Sequence, residues 1–339
     1  MTDSTAAVAQ PTPTLAEQFT AYEREVYHFH AAHAAAELEL AEHLANGPLS
    51  VEELASQTKT HAPSLFRLLR ALETIGVFKQ VSPRVFANTP ESERLRKGTP
   101  GSLWARVRAL FACGFYQAWM GFPDSIRTGR NAFEQVHGCS SWEFNRRDPE
   151  RAAIFDQFMQ SYQAMVTPPV TAAYDWARFP VIADVGGGKG AQLVDILRAH
   201  PSCRGILLDQ PHVVASATPH DRIERVGGSF FDRVPSGADA YILRSVIHDW
   251  GDAESVAILK TVHVAMRPES RAILIEQIIP EGPGYAFTKW VDLAVMTIAG
   301  GQERTAAEYR HLLEEAGFEV EQIVPTSGPL NLIISHPRT

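Results

Sequence analysis

Residues 181–190 read VIADVGGGKG. Val181, Ile182, Ala183 and Val185 form a short apolar run in which polar residues do not alternate, the pattern of a strand buried on both faces of a parallel sheet. Three glycines follow without a gap, Gly186, Gly187 and Gly188, then Lys189 and Gly190. After them AQLVDILRAH sets Leu193, Ile196 and Leu197 at helical spacing. Strand, glycine-rich turn and helix, in that order, predict a βα unit whose turn lies close against a ligand. Glycine supplies φ > 0 there and leaves no Cβ in the way, and the first βα turn of a doubly wound sheet is where nucleotides sit.

The spacing narrows the ligand. G-x-G-x-G at Gly186, Gly188 and Gly190 is not the dinucleotide G-x-G-x-x-G. It is not a Walker loop either, because Gly190 stands where Ser or Thr would follow Gly188-Lys189. Nineteen residues beyond Gly190, Asp209 closes the run GILLD, where an acidic side chain suits a ribose with two free hydroxyls. A structural βα turn without an adenosyl ligand is the alternative. Asp184 before the turn and Asp209 after it favour a nucleoside-type cofactor.

Composition excludes several classes. At 339 residues there is room for two domains. A net charge of −8 argues against a general nucleic-acid binder. Cys113, Cys139 and Cys203 are scattered and form no C-x-x-C, so neither a zinc knuckle nor a disulfide framework is expected, and a reducing cytoplasm fits. No run approaches the ~18 apolar residues of a membrane span. Residues 1–14, MTDSTAAVAQPTPT, lack the basic and apolar regions of a signal peptide and read as a disordered tail.

Residues 15–44 read as one long alanine-dense helix, either a core helix or a subunit interface, stopped by Asn46-Gly47-Pro48. His28, His30 and His33 do not share a helix face, so no metal site is expected there. Ser50 and Glu53 have capping-box spacing, a second helix is predicted over 63–74, and 77–80 with 85–87 form a small β-wing. Residues 49–100 hold eight Lys/Arg against five Glu, so DNA binding is conceivable. Only Arg67 and Arg70 decorate the second helix, which favours a packing and dimerisation module. Residues 101–175 read as helical and aromatic, a linker and pocket region with Phe155 and Met159 among its apolar side chains, and Thr167-Pro168-Pro169 is expected to break its helices. From 176 onward strands at 181–185, 204–208, 223–227, 240–244, 271–277, 318–323 and 330–335 alternate with helices. The last two have no helix between them and should pair antiparallel. The fold expected is α/β: a C-terminal seven-stranded, Rossmann-like, doubly wound domain (176–339) behind a helical winged-helix dimerisation domain (15–100).

His248, in IHDWGD, follows the fourth strand, and ligands of open α/β sheets bind outside the strands' carboxyl ends. Glu276 ends the fifth strand on the same edge, and Glu303 lies in AGGQERTAAEY, where Thr305 and Glu308 can cap a helix. For both glutamates a cap or a surface charge is the competing reading.

Taken together, DVGGGKG, LLDQP, GGSFFDRVP, IHDWGD, IEQIIPEG and GGQERTAAEYRHLLEEAGF stand in an order that resembles the class I S-adenosylmethionine-dependent O-methyltransferases of the caffeate and acetylserotonin type, in their bacterial secondary-metabolite branch. The resemblance covers nearly the whole chain. It implies a homodimer and S-adenosyl-L-methionine as cofactor. Gly186 and Gly188 would lie at the cofactor, Asp209 on the ribose, Phe230 and Phe231 against the adenine, and Arg244 where a basic residue is usual. Ser229 stands where the family often has Asp, so the adenine contact there would be uncharged and shorter. His248 would be the general base, and Glu276 and Glu303 would orient it. Phe155, Met159, Asp249, Trp290 and Met296 would line the acceptor pocket.

The implied reaction moves a methyl group from a sulfonium to a hydroxyl, expected on a phenol of pKa ~10, with a histidine of ordinary pKa ~6.5 accepting the proton. No metal is expected. Two rivals are a relative that hydroxylates or decarboxylates a polyketide with the same cofactor, and a winged-helix regulator that binds DNA and senses S-adenosylmethionine.

Overall fold

The computed structural model describes residues 14–99 and 101–338. They divide into two compact units between Leu110 and Phe111. Of the segment expected to be a tail, residues 1–13 lie outside the described residues. Thr14 instead caps the first helix, Leu15–Glu37, in a capping box with Glu17.

The single helix expected over 15–44 is two. The first ends at Leu38, Glu39 turns into the left-handed region at φ 51°, and a short helix Leu40–His43 follows. The break has a packing reason: it turns Leu40, Ala41 and Leu44 into the core of the first unit, where each is almost wholly buried. The Ala36 carbonyl at the helix end accepts both the Glu39 N–H at 3.3 Å and the Trp104 indole N–H at 3.2 Å. Helix Val51–Thr58 opens with the expected Ser50–Glu53 capping box. Helix Ala62–Glu73 buries Leu65, Leu69 and Leu72. Strands β1 (Leu49–Ser50), β2 (Phe78–Ser82) and β3 (Val85–Asn88) form an antiparallel sheet in the order β1-β3-β2. This is the wing predicted after the second helix.

The second unit holds a seven-stranded sheet. Its members are β4 (Val181–Val185), β5 (Arg204–Asp209), β6 (Ile223–Gly227), β7 (Ala240–Arg244), β8 (Arg271–Glu276), β11 (Phe318–Pro325) and β12 (Asn331–Pro337). The short strands β9 (Ile278–Ile279) and β10 (Arg304–Thr305) pair separately and in parallel. Sheet order is β11-β12-β8-β7-β4-β5-β6, with β4 to β8 parallel and β11 and β12 antiparallel, as expected for strands with no helix between them. Order reverses at β4, which lies between β5 and β7. The carboxyl ends of β4, β5 and β7 therefore open the crevice where such sheets bind ligands.

Thr167-Pro168-Pro169 does not break its helix. Helix Pro149–Ala172 runs through both prolines. An interior proline costs about 3 kcal/mol through its missing N–H and its clash with the preceding turn. Val166 and Val170, fully buried in the apolar cluster that contains Ile182, Leu193 and Ile196, offset that cost. Tertiary packing overrides the local signal. No helix among the described residues is long and apolar enough to cross a membrane.

Candidate active site

The glycine turn is shaped by what lies beneath it. Gly186, Gly188 and Gly190 have φ of 70°, 61° and 82°. Gly187 is needed for space: a Cβ there would stand 2.4 Å from the Asp184 carboxylate and 2.6 Å from Leu207 Cδ1. A Cβ on Gly186 would meet Phe230 Cε1 at 3.2 Å, which places that ring over the start of the turn. The Gly188 N–H donates to Asp209 Oδ2 at 2.8 Å, and the Gln210 N–H donates to Oδ1 at 2.7 Å. Asp209 is thus preoriented at the end of β5, with acceptor capacity left for a ribose diol.

Asp184, which the sequence offered as a sign of a nucleoside-type cofactor without a role of its own, lies directly beneath the turn. Its carboxylate is buried, approached by the Leu193 backbone N–H and, among the described residues, by no side-chain donor within hydrogen-bond distance. Burial pushes its pKa up to about 7, opposed by Arg244 and reinforced by Asp209. A buried carboxylate with no side-chain partner among the described residues, under a glycine turn, fits a cationic ligand, and S-adenosylmethionine carries both an ammonium and a sulfonium. A lone acid at the end of an apolar strand was the available signal.

Ser229 Oγ accepts the Phe231 N–H at 3.2 Å, which occupies part of its capacity toward an adenine. The Phe230 carbonyl is held by Thr261 Oγ1 at 2.6 Å, and the Phe231 ring meets Trp250 edge-on at 4.8 Å. Arg244, expected at the cofactor, has partners on helix Pro149–Ala172. Its guanidinium binds Thr167 Oγ1 at 3.0 Å and Gln163 Oε1, tying the end of β7 to helix Pro149–Ala172. Burial pushes its pKa down and Asp184 pulls it back. Nothing in the local sequence announced Gln163 or Thr167 as its partners.

The acid–base cluster is assembled from three separate segments. His248 sits in the turn Ile247–Asp249 just past β7, Glu276 ends the neighbouring strand β8, and Glu303 precedes β10. His248 Nδ1 lies 3.0 Å from Glu303 Oε1 and 3.7 Å from Glu276 Oε2. A carboxylate only accepts, so Nδ1 carries the hydrogen and Nε2 is left for the proton to be moved. Asp249 Oδ1 lies 3.6 Å from Nε2. Glu276 Oε1 accepts the backbone N–H groups of Val246 and Ile247 at 3.0 and 2.9 Å, so one carboxylate fixes both the turn and the charge beside the imidazole. The Asp292 carboxylate accepts the Glu303 N–H at 2.8 Å and Gln277 Nε2 donates to Glu303 Oε1 at 3.4 Å.

Burial alone would lower the His248 pKa. The Glu276 charge, the Glu303 hydrogen bond and Asp249 outweigh it and lift the pKa to about 10. Burial raises Glu276 to about 7 against the opposing pull of His248. The value near ~6.5 expected from histidine's ordinary behaviour is corrected by these carboxylates, two of which come from distant segments. The donors of His248, Glu276 and Glu303 lie within 4.8 Å of one another and could hold a cation. Nδ1 is already bonded to Glu303, and one Glu276 oxygen is taken up by two amides.

Of the predicted acceptor residues, Asp249 lies in the turn beside His248 and the other four lie on two helices. The Phe155 ring packs against Trp142 at 5.3 Å, Phe115 at 6.3 Å and Phe158 at 6.4 Å, and Met159 is half-buried one turn further on. Helix Phe287–Ile298 carries Trp290, Met296 and Asp292, the last bonded to Glu303. Trp290 is 56% exposed while Met296 is half-buried. Six residues apart they lie about 120° apart around the helix, so the two do not share one face.

Comparison with known proteins gives the family. Residues 119–319 match the O-methyltransferase domain and residues 26–98 the O-methyltransferase dimerisation domain. The phenazine O-methyltransferase of Lysobacter antibioticus is 38% identical over 90% of this chain and 91% of its own. The mitomycin biosynthesis 6-O-methyltransferase of Streptomyces lavendulae is 36% identical over 89% of each. An O-methyltransferase from neocarzinostatin biosynthesis, solved with S-adenosylmethionine and 2-hydroxy-5-methyl naphthoic acid, superposes with a TM-score of 0.78 at 33% identity, covering 91% of this chain and 95% of that one. The two domain matches and the identities of 38% and 36% decide the family: the chain belongs to the O-methyltransferase family and is an S-adenosylmethionine-dependent methyltransferase.

Proposed function

We propose that this enzyme methylates a phenolic hydroxyl of an aromatic small molecule of secondary metabolism, with His248 as the base. The observation that carries the proposal is the 3.0 Å bond from His248 Nδ1 to the buried Glu303, which leaves Nε2 as the proton acceptor. The names of the relatives support an aromatic acceptor.

When bound, the cofactor supplies a methyl group already activated on a sulfonium. The chain's residues hold the reactants in line and take up the proton that the hydroxyl loses. Glu303 keeps His248 in one tautomer, and Glu276 stabilises the imidazolium that forms. With the imidazole raised to about 10, proton transfer from a phenol of ~10 is close to level. Asp209 is assigned to the ribose, Gly186 and Gly188 to close approach of the cofactor, and Ser229, Phe230 and Phe231 to the adenine side. Phe155, Met159, Asp249, Trp290 and Met296 are assigned to the acceptor. Arg244 acts by anchoring helix Pro149–Ala172 beside the turn.

The enzyme works as a homodimer through residues 15–100, with 101–175 serving the acceptor and 176–339 the cofactor. Leu15, Phe19, Tyr22 and Val26 form an exposed apolar stripe along one face of the first helix, which supports this assembly. Three unbridged cysteines support a cytoplasmic setting. The test is incubation with S-adenosylmethionine and a panel of phenols and aromatic amines, read by mass spectrometry. Gain of one methyl group on hydroxyls is expected. Methylation of amines and of no hydroxyl would overturn the proposal.

A further inference from the structure

We propose that Arg304 is the positioning residue for the catalytic base: it clamps the backbone of the turn that carries His248, and it does so together with Gly301 and Gln302. The inference rests on His248 being the base.

The Arg304 side chain is 1% exposed. Its Nη1 donates to the Ile247 carbonyl at 3.1 Å and its Nη2 to the Trp250 carbonyl at 2.9 Å, the residues on either side of His248-Asp249. Nε and Nη2 also reach Asp252 Oδ1 at 3.2 and 2.8 Å. One planar fork therefore fixes both ends of a four-residue turn and anchors to the carboxylate beyond it. A lysine, with a single compact charge, cannot make these contacts simultaneously. The Gln302 N–H donates to the His248 carbonyl itself at 2.8 Å, and the Gln302 side-chain amide donates to the same Asp252 oxygen at 2.8 Å.

Gly301 is the counterpart. A Cβ on it would stand 1.9 Å from the His248 carbonyl oxygen and 2.8 Å from Asp249 Cα, and its φ lies outside the left-handed region. Glycine is needed there because the turn presses against it, and not because of backbone conformation. Within one segment, Glu303 holds the imidazole while Gly301, Gln302 and Arg304 hold the chain that bears it. Loss of the clamp should leave His248 basic but misaligned. A displacement near 1 Å costs about 10²-fold in rate.

The test uses Arg304→Lys and Gly301→Ala in the full-length enzyme, each checked for a cooperative thermal melt. The expected result is a fall in kcat of about 10–10²-fold with S-adenosylmethionine affinity unchanged by calorimetry. The fall should be largest on weakly acidic phenols and should shrink on phenols that are ionised before binding. A scaffold role alone would lower turnover equally for every acceptor. A kcat within threefold of the parent in either folded variant overturns the proposal, as does a loss uniform across acceptors or matched by lost cofactor affinity. If Arg304→Lys fails to fold, Gly301→Ala decides, since the atoms that oppose its Cβ belong to the turn itself, at His248 and Asp249. Inactive His248→Ala beside normal clamp variants would refute this inference alone, whereas active His248→Ala would refute the reading it rests on.

Discussion

Replacing Glu303 by glutamine probes the base directly. Glutamine keeps the shape and an oxygen that can accept from Nδ1, but removes a charge 3.0 Å from the imidazole. A hydrogen bond to a charged group contributes about 1.5–3 kcal/mol, and one pKa unit corresponds to about 1.4 kcal/mol. His248 is only 18% exposed, so solvent screens little of this. Glu303→Gln should therefore lower the His248 pKa by about 1–2 units from its value near 10. Glu276 at 3.7 Å remains to hold it above the ordinary histidine range. The sign follows from the charge states: the carboxylate favours imidazolium, so its loss makes the base available at lower pH. In a profile of kcat/KM against pH with a weakly acidic phenol, the parent enzyme should rise from neutrality toward pH 10. The variant's rise should level off about 1–2 units earlier and at a lower plateau, because a weaker base takes the proton less readily. Initial rates of methyl transfer at saturating cofactor measure both curves. An unmoved midpoint, or one moved to higher pH, would refute the assignment of Glu303 as the charge that sustains the base.

Other expectations follow from the same geometry. His248→Ala should lower turnover of weakly acidic phenols by roughly 10²–10⁴-fold with cofactor affinity preserved; near-normal turnover would remove His248 from catalysis. Asp209→Ala, which also releases the Gly188 and Gln210 amides, should weaken S-adenosylmethionine binding by about 1.5–3 kcal/mol in calorimetry, whereas Ser229→Asp should leave it unchanged or tighten it; unchanged affinity in Asp209→Ala would cancel the ribose assignment. Phe19→Glu, on the exposed stripe of the first helix, should shift the dimer toward monomer in light scattering, and a parent protein already monomeric at micromolar concentration would remove the proposed interface.

What could be read from the sequence was what adjacent residues decide. The strand–glycine–helix order at 181–199, the acid that ends β5, the capping boxes at Ser50 and Thr305 and the antiparallel final strands are each contained within one stretch of chain. Placing His248 and Glu276 at strand carboxyl ends needed only the strand pattern, because sheet topology sends such ends to one edge.

Tertiary structure decided everything that depends on separate segments meeting. The helix through Pro168-Pro169 persists because Val166 and Val170 are buried by other elements, and the first helix breaks at Leu38-Glu39 so that Leu40 and Leu44 reach the core. Arg244 turns toward Gln163 and Thr167 because helix Pro149–Ala172 crosses the end of β7. The basicity of His248 is the clearest instance. Histidine by itself titrates near ~6.5, and the convergence of Glu276 from β8 and Glu303 from the segment before β10, with the neighbouring Asp249, in a place where water screens them little, raises it to about 10.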